Sequence, residues 1–282
     1  MDRCCPKHPI CRNLDRSWIL YQLDNFHVLM ESIERVEING RRYYRVTSNG
    51  LVLGTYPSMT TILGNTKDQS GLDEWRDKIG HEEADRISNL SMNRGTIMHR
   101  LLELYKGLQG TPNQRLSQLI FISKTDIEVN QFNEDPLGET WLKAGWEFFL
   151  KFWTHHPDFF DRVVKVLAAE KFIWSGRGYA GTLDNASEMV GNKILIIDYK
   201  NSRKPKRDEW IEDYFLQVAG YAIAFWERTG NIPNGGEVWI ANELEDKPQI
   251  FTLTQGDIKH YFKEFMKRLN QYNEENKTIE EK

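Results

Sequence analysis

Along the chain the apolar positions change period several times, and each change marks an element. Between residues 32 and 56 they alternate in runs of β-formers on either side of Asn39-Gly40, with a second turn, "SNG", at 48–50. Asn-Gly supplies the positive φ angles that a two-residue hairpin turn needs, so this stretch predicts a β meander. Ser58, after Pro57, is placed to cap a helix. Residues 72–107 carry a helical pattern with an expected break near 91–95. Its second part, "RGTIMHRLLELYKG", has apolar residues at 97, 98, 101, 102, 104 and 105 and ends at Gly107. Residues 109–138 are polar, with room for one helix. "ETWLKAGWEFFLKFWTHHP" predicts an aromatic helix stopped by Pro157.

From residue 165 the alternation returns. Strands are predicted over 165–174, 179–187 and 193–200, divided by the turns "SGRG" and "EMVGN". A helix over 212–230, strands over 236–242 and 249–254, and a last helix from about Asp257 complete the order, and "EENKTIEEK" is expected to fray. The third strand, "ILII" before Asp198, is apolar at every position, as a strand covered on both faces is. The predicted class is α/β, a central sheet with helices on both faces.

Composition narrows the function. With 282 residues there is room for one large domain or two small ones. A net charge of −4 excludes a wholly basic nucleic-acid binder but permits a local basic groove. There is no apolar run near 18 residues and no apolar N-terminal leader core, so neither a membrane helix nor a secretory signal is expected; Asp2 and Asp15 argue against a transit peptide. Cys4, Cys5 and Cys11, with His8 among them, fit no common zinc spacing and suit a reducing compartment. Among the many aromatics, Tyr43, Tyr44, Tyr56 and Trp174 are candidates either for core packing or for stacking on single-stranded bases.

Candidate chemistry gathers on the third strand. Asp198 and Lys200 are two apart, so on a strand they share a face. Acid-x-lysine recurs by chance, as at Glu245/Lys247 and Glu275/Lys277, but only Asp198/Lys200 follows a buried-strand pattern. The preceding hairpin adds Glu170 and Asp184, the latter in "GYAGTLD", where Gly181 suggests close backbone approach. Taken singly, Asp184 can be a turn residue, Glu170 a solvated strand residue and His99 a structural one. Taken together, converging carboxylates require a cation or a proton between them, and oxygen ligands suit Mg²⁺. Gln217 and Tyr221 share a helix face, and a glutamine within "FLQVAGYAIAF" needs a polar task. Arg203, Lys204, Lys206 and Arg207 follow the strand and can either neutralise phosphates or form an ordinary charged loop.

The ordered series Gly95-x-x-x-His99, Glu170, "GYAGTLD", "ILIIDYKNS" and "LQVAGYAIAF" resembles the RecB-like branch of the PD-(D/E)XK nuclease superfamily, over roughly residues 57–240. It is similar to exonucleases of phages and of mitochondrial genome maintenance. The resemblance implies a restriction-endonuclease-like core, a mixed β-sheet flanked by helices, with an N-terminal β-hairpin and helical elaboration. It makes Asp184 and Asp198 the principal metal ligands, His99 and Glu170 secondary ones, joined by the Tyr199 carbonyl. Lys200 becomes the catalytic base or stabiliser, and Gln217 and Tyr221 lie near the substrate or Lys200. The implied activity is a Mg²⁺-dependent DNA exonuclease, Mn²⁺ able to substitute, acting on single-stranded DNA or DNA ends in replication, recombination or repair. Alternatives are a structure-selective endonuclease on the same core and a non-cleaving single-stranded DNA-binding module. An iron–sulfur cluster is excluded, because no cysteine follows Cys11. The expected organisation is an irregular segment (1–25), a hairpin and helical region for substrate threading that contributes His99 (26–160), the nuclease core (161–275) and a flexible tail (276–282). The expected location is intracellular, a bacterial or phage-infected cytoplasm rather than the mitochondrial matrix.

Overall fold

The first described element, β1 (Glu31–Ile38), pairs antiparallel with β2 (Arg41–Ser48), which pairs with β3 (Leu51–Pro57). The structure is a computed structural model that describes residues 31–280; the segment 1–25 with Cys4, Cys5, His8 and Cys11 lies outside the described residues. Both hairpin turns place an Asn-Gly pair at positive φ, Asn39 at 52° with Gly40 at 71° and Asn49 at 48° with Gly50 at 80°. Ser58 caps α1 (Met59–Thr66), accepting the Thr61 amide at 3.0 Å.

Helices α2 (Ser70–Ile79) and α3 (His81–Gly107) follow, divided by Gly80 at φ 89°. The break expected near 91–95 is not there: α3 runs through it. The polar run "SNLSMNRG" imitates a loop, but Asn93, Arg94 and Gly95 are buried, and Arg94 finds its partners in Asn201 and Glu243. After α4 (Pro112–Ser123) comes α5 (Gly138–Thr154). Pro157 does not stop α5; it stands in the first turn of α6 (His156–Phe159), where its missing N–H costs no hydrogen bond.

The second sheet contains β4 (Val163–Ser175), β5 (Tyr179–Met189), β6 (Lys193–Ser202), β7 (Gly235–Asn242) and β8 (Gln249–Thr254), in that spatial order. All pairs are antiparallel except β6–β7, which is parallel and bridged by α7 (Glu212–Thr229). The last helix, α8 (Gln255–Glu280), reaches into the stretch expected to fray, whose last two residues lie outside the described residues. It is thus a mixed α/β fold. One sheet face packs Ile196, Val238 and Ile240 against α1, α7 and α8; the other packs Ile197, Tyr199 and Trp239 against α3, α5 and α6. A smaller cluster of Tyr44, Val46, Trp174 and Ala180 fastens the first sheet to the β4–β5 hairpin.

Of the two readings of Tyr43, Tyr44, Tyr56 and Trp174, packing is the one that their contacts support. Tyr56 lies parallel to Trp174 at 5.5 Å, Tyr44 is 1% exposed, and the Tyr43 hydroxyl meets that of Tyr272 at 2.7 Å. These rings join elements rather than present a free platform for bases. No helix among the described residues is long and apolar enough to cross a membrane.

Candidate metal-binding active site

The β5–β6 ladder ends at Asn185↔Ile197, and the next positions along the two strands are Asp184 and Asp198. The strands therefore part where the acids stand. The Tyr199 amide, beyond the ladder's end, donates instead to Asp184 Oδ2 at 2.8 Å. Glu170 falls between Ala169↔Asn185 and Lys171↔Leu183, opposite Asp184 across β4–β5. Its φ is 43°, left-handed backbone that a glutamate inside a strand rarely adopts, at a cost on the order of 1–3 kcal/mol. That twist in the edge strand β4 belongs to the geometry that lets its carboxylate reach His99.

His99 arrives from the opposite layer on α3. One turn earlier, Gly95 lies against β6: a Cβ there would stand 2.5 Å from Asn201 Nδ2. Arg94 Nε and the Ser91 carbonyl hold the Asn201 amide at 3.0 and 3.2 Å. This close approach explains the Gly-x-x-x-His spacing, because it delivers the imidazole to the strand ends. His99 Nε2–H donates to the Tyr199 carbonyl at 2.9 Å; Nδ1 lies 3.1 Å from Glu170 Oε1 and 3.7 Å from Asp184 Oδ2. Burial disfavours the imidazolium, but the Asp184 and Glu170 carboxylates outweigh it and raise the pKa to about 9. Ligand atoms of His99, Glu170 and Asp184 all lie within 4.8 Å of one another.

Asp198 is not in that group. It is 1% exposed on the α7 side of the sheet, with Lys200 Nζ 2.5 Å from Oδ2 and no hydrogen-bond donor for Oδ1 among the described residues. Burial raises its pKa, and Lys200 only partly opposes this; burial likewise disfavours the Lys200 ammonium, which Asp198 and Asp184 restore. The Lys200 ammonium also sits over the Tyr214 ring at 5.2 Å. Gln217 and Tyr221, on the buried face of α7, stand 3.5 Å apart and line the same cleft. Gly181 makes room for Tyr221: a Cβ there would come within 2.5 Å of its hydroxyl oxygen.

An open cleft of about 960 Å³ exposes His99, Glu170, Asp184 and Lys200. None of Arg203, Lys204, Lys206 or Arg207 lines it; Arg203, Lys204 and Arg207 are exposed outside, and Arg207 covers Trp210. Sequence reasoning missed four residues. Arg35 and Arg42 reach the cleft from the first sheet, Tyr214 sits one turn before Gln217, and Lys106 lies over the Tyr199 ring at 4.3 Å. Burial draws the Lys106 pKa down to about 8. Two of these had a local signal: 214, 217 and 221 share a helix face, as do 99 and 106. The arginines had none.

The donor set fits a divalent cation: two carboxylates and an imidazole within one ion's reach, above a buried carboxylate with an oxygen lacking a hydrogen-bond donor. A mixed sheet that parts its strands to present such a cluster beside a lysine brings together the groups that metal-dependent phosphodiester hydrolysis uses. A sequence profile of the PD-(D/E)XK nuclease superfamily matches residues 70–281, and the chain belongs to that superfamily. Membership implies a nuclease with DNA as its substrate. No curated protein gives a significant match.

Proposed function

We propose that the chain is a Mg²⁺-dependent DNA exonuclease of the RecB-like branch, acting on single-stranded DNA or DNA ends in replication, recombination or repair. The observation that carries this reading is the placement of Lys200, ion-paired with buried Asp198, beside the His99–Glu170–Asp184 group in one cleft. Asp184, Glu170 and His99 would hold the ion, with Asp198 behind them. When bound, Mg²⁺, or Mn²⁺ in its place, supplies the Lewis acidity that phosphodiester hydrolysis needs.

The chain's own residues do the rest. Lys200 keeps its proton beside Asp198 and offers an ammonium to charge developing on the phosphate, the stabilising role rather than that of a base. The amide of Gln217 and hydroxyl of Tyr221 orient the strand at the cleft wall. The Tyr199 carbonyl accepts from His99 Nε2–H and so turns Nδ1, the nitrogen that would meet the ion, toward Glu170 and Asp184. The cleft lies between the first sheet and α3, which supports threading of one strand; Arg203, Lys204, Lys206 and Arg207 meet flanking phosphates outside it.

End-labelled single-stranded DNA, incubated with Mg²⁺ and in parallel with a chelator, tests the proposal. A metal-dependent ladder of mononucleotides or short oligonucleotides, with covalently closed circles left intact, is the expected result. Discrete internal cuts and opened circles would establish the endonuclease reading, and a gel shift without products the binding module.

A further inference from the structure

Two cations in the cleft have no partner among the described residues. Arg100 is held by Asp126 and Glu103, Lys200 by Asp198, and His99 by Glu170. Arg35 and Arg42 also line the cleft, and neither guanidinium has an ion pair or hydrogen bond among the described residues. They come from β1 and β2, which precede the segment that the superfamily profile covers.

Their direction is fixed by the sheet. Arg35 stands opposite Tyr44 in the β1–β2 register, and Arg42 is two residues from Tyr44, so all three share a face. Tyr44 on that face is buried against the nuclease sheet, and its hydroxyl meets Thr182 Oγ1 at 3.1 Å, two residues before Asp184. The backbone beneath Arg42 is pinned: its carbonyl accepts from the Ser58 amide and from Thr61 Oγ1, each at 3.0 Å. The opposite face differs. There Arg41 bonds Asn276 at 2.6 Å, and Arg45 lies 3.7 Å from Glu34. Glu37, opposite Arg42 in register, forms no ion pair with it.

We propose that Arg35 and Arg42 form a second phosphate subsite, which clamps the nucleic-acid backbone beside the scissile phosphate and makes the N-terminal sheet part of the substrate channel. The inference rests on the nuclease reading for its substrate. Guanidinium forks match phosphate oxygens in pairs, and two of them on a rigid ladder fix a strand's register without reading its bases. Carboxylates line the other side of the cleft and repel the same backbone unless a cation intervenes, so the arginines supply attraction where the acids cannot.

The test measures affinity for an oligodeoxynucleotide over a salt series, in chelator, for the wild type and for Arg35→Gln/Arg42→Gln. Two lost contacts make the slope of log K against log salt shallower by about 1.4, so that going from 50 to 200 mM costs the variant about sevenfold less affinity than it costs the wild type. A series of oligonucleotides with one phosphate replaced by neutral methylphosphonate locates the contact. At one or two adjacent positions the replacement weakens the wild type and leaves the variant unaffected. An unchanged slope, or a methylphosphonate profile identical in both proteins, overturns the subsite; so does competition by inorganic phosphate as strong as that by the oligonucleotide, which would mark a site for a free anion. Arg35→Lys/Arg42→Lys retains the salt slope if charge is what matters. The two readings fail separately: a wild type that binds DNA through these arginines but never cleaves it sinks the nuclease reading alone. A wild type that cleaves with a variant of unchanged salt slope sinks the subsite alone.

Discussion

Replacing Lys200 by Met tests the buried pair directly. The substitution keeps an unbranched side chain, loses the ammonium over the Tyr214 ring and removes the cation paired with Asp198, whose side chain is 1% exposed. Breaking a buried pair from one side costs about 3–5 kcal/mol, because an uncompensated charge stays behind. Protonation sets the ceiling. Holding Asp198 neutral at pH 7, about three units above the usual carboxylate value, limits the loss to about 4 kcal/mol. Asp198→Asn removes the charge instead and leaves Lys200, whose side chain is 20% exposed, able to reach water, at about 1–2 kcal/mol. The double variant Asp198→Asn/Lys200→Met is then expected to be more stable than Lys200→Met alone by about 2 kcal/mol. Urea unfolding in chelator measures all four proteins, and DNA cleavage in Mg²⁺ is lost in all three variants. The sign with pH is fixed. The folded variant holds an acid with a raised pKa, so its excess instability is absent below about pH 4, where the unfolded carboxyl is also protonated, and grows as pH rises. Equal stability of Lys200→Met and wild type at pH 7, or a double variant no better than the single, would refute the ion pair.

Three further outcomes are expected. Gly95→Ala drives a Cβ to 2.5 Å from the clamped Asn201 amide, so it costs about 1–3 kcal/mol in thermal or urea unfolding and lowers cleavage beyond that, because His99 moves with α3. Gln217→Ala weakens cleavage without abolishing it, read as initial rates on labelled DNA; wild-type rates would remove Gln217 from the site. Mg²⁺ at a hundredfold its Kd stabilises the protein by about 2.7 kcal/mol, a rise in Tm of roughly 5 °C. Asp184→Asn, which still accepts the Tyr199 amide, loses most of that rise without unfolding.

Much of the fold was legible because it is local. Asn39-Gly40 set a turn, "ILII" set a strand covered on both faces, and two-residue spacing put Asp198 and Lys200 on one side of it. Local signals also misled. The polar run before Gly95 imitated a loop because its partners, Asn201 and Glu243, lie more than a hundred residues onward. Pro157 marked a boundary but opened a helix rather than closing one.

By itself the sequence determined on which elements the candidate residues ride and which of them share a face, because side-chain periodicity is a property of neighbours along the chain. Only the tertiary structure decided which of them meet. His99 reaches Glu170 across 71 positions and the Tyr199 carbonyl across 100, through a helix seated by one glycine and a strand turned by one left-handed glutamate. It also paired Asp198 with Lys200, grouped His99, Glu170 and Asp184 within one ion's reach, left the basic loop outside the cleft, and brought Arg35 and Arg42 into it. Contacts of that range depend on how layers pack and where ladders end, and no period within one segment records either.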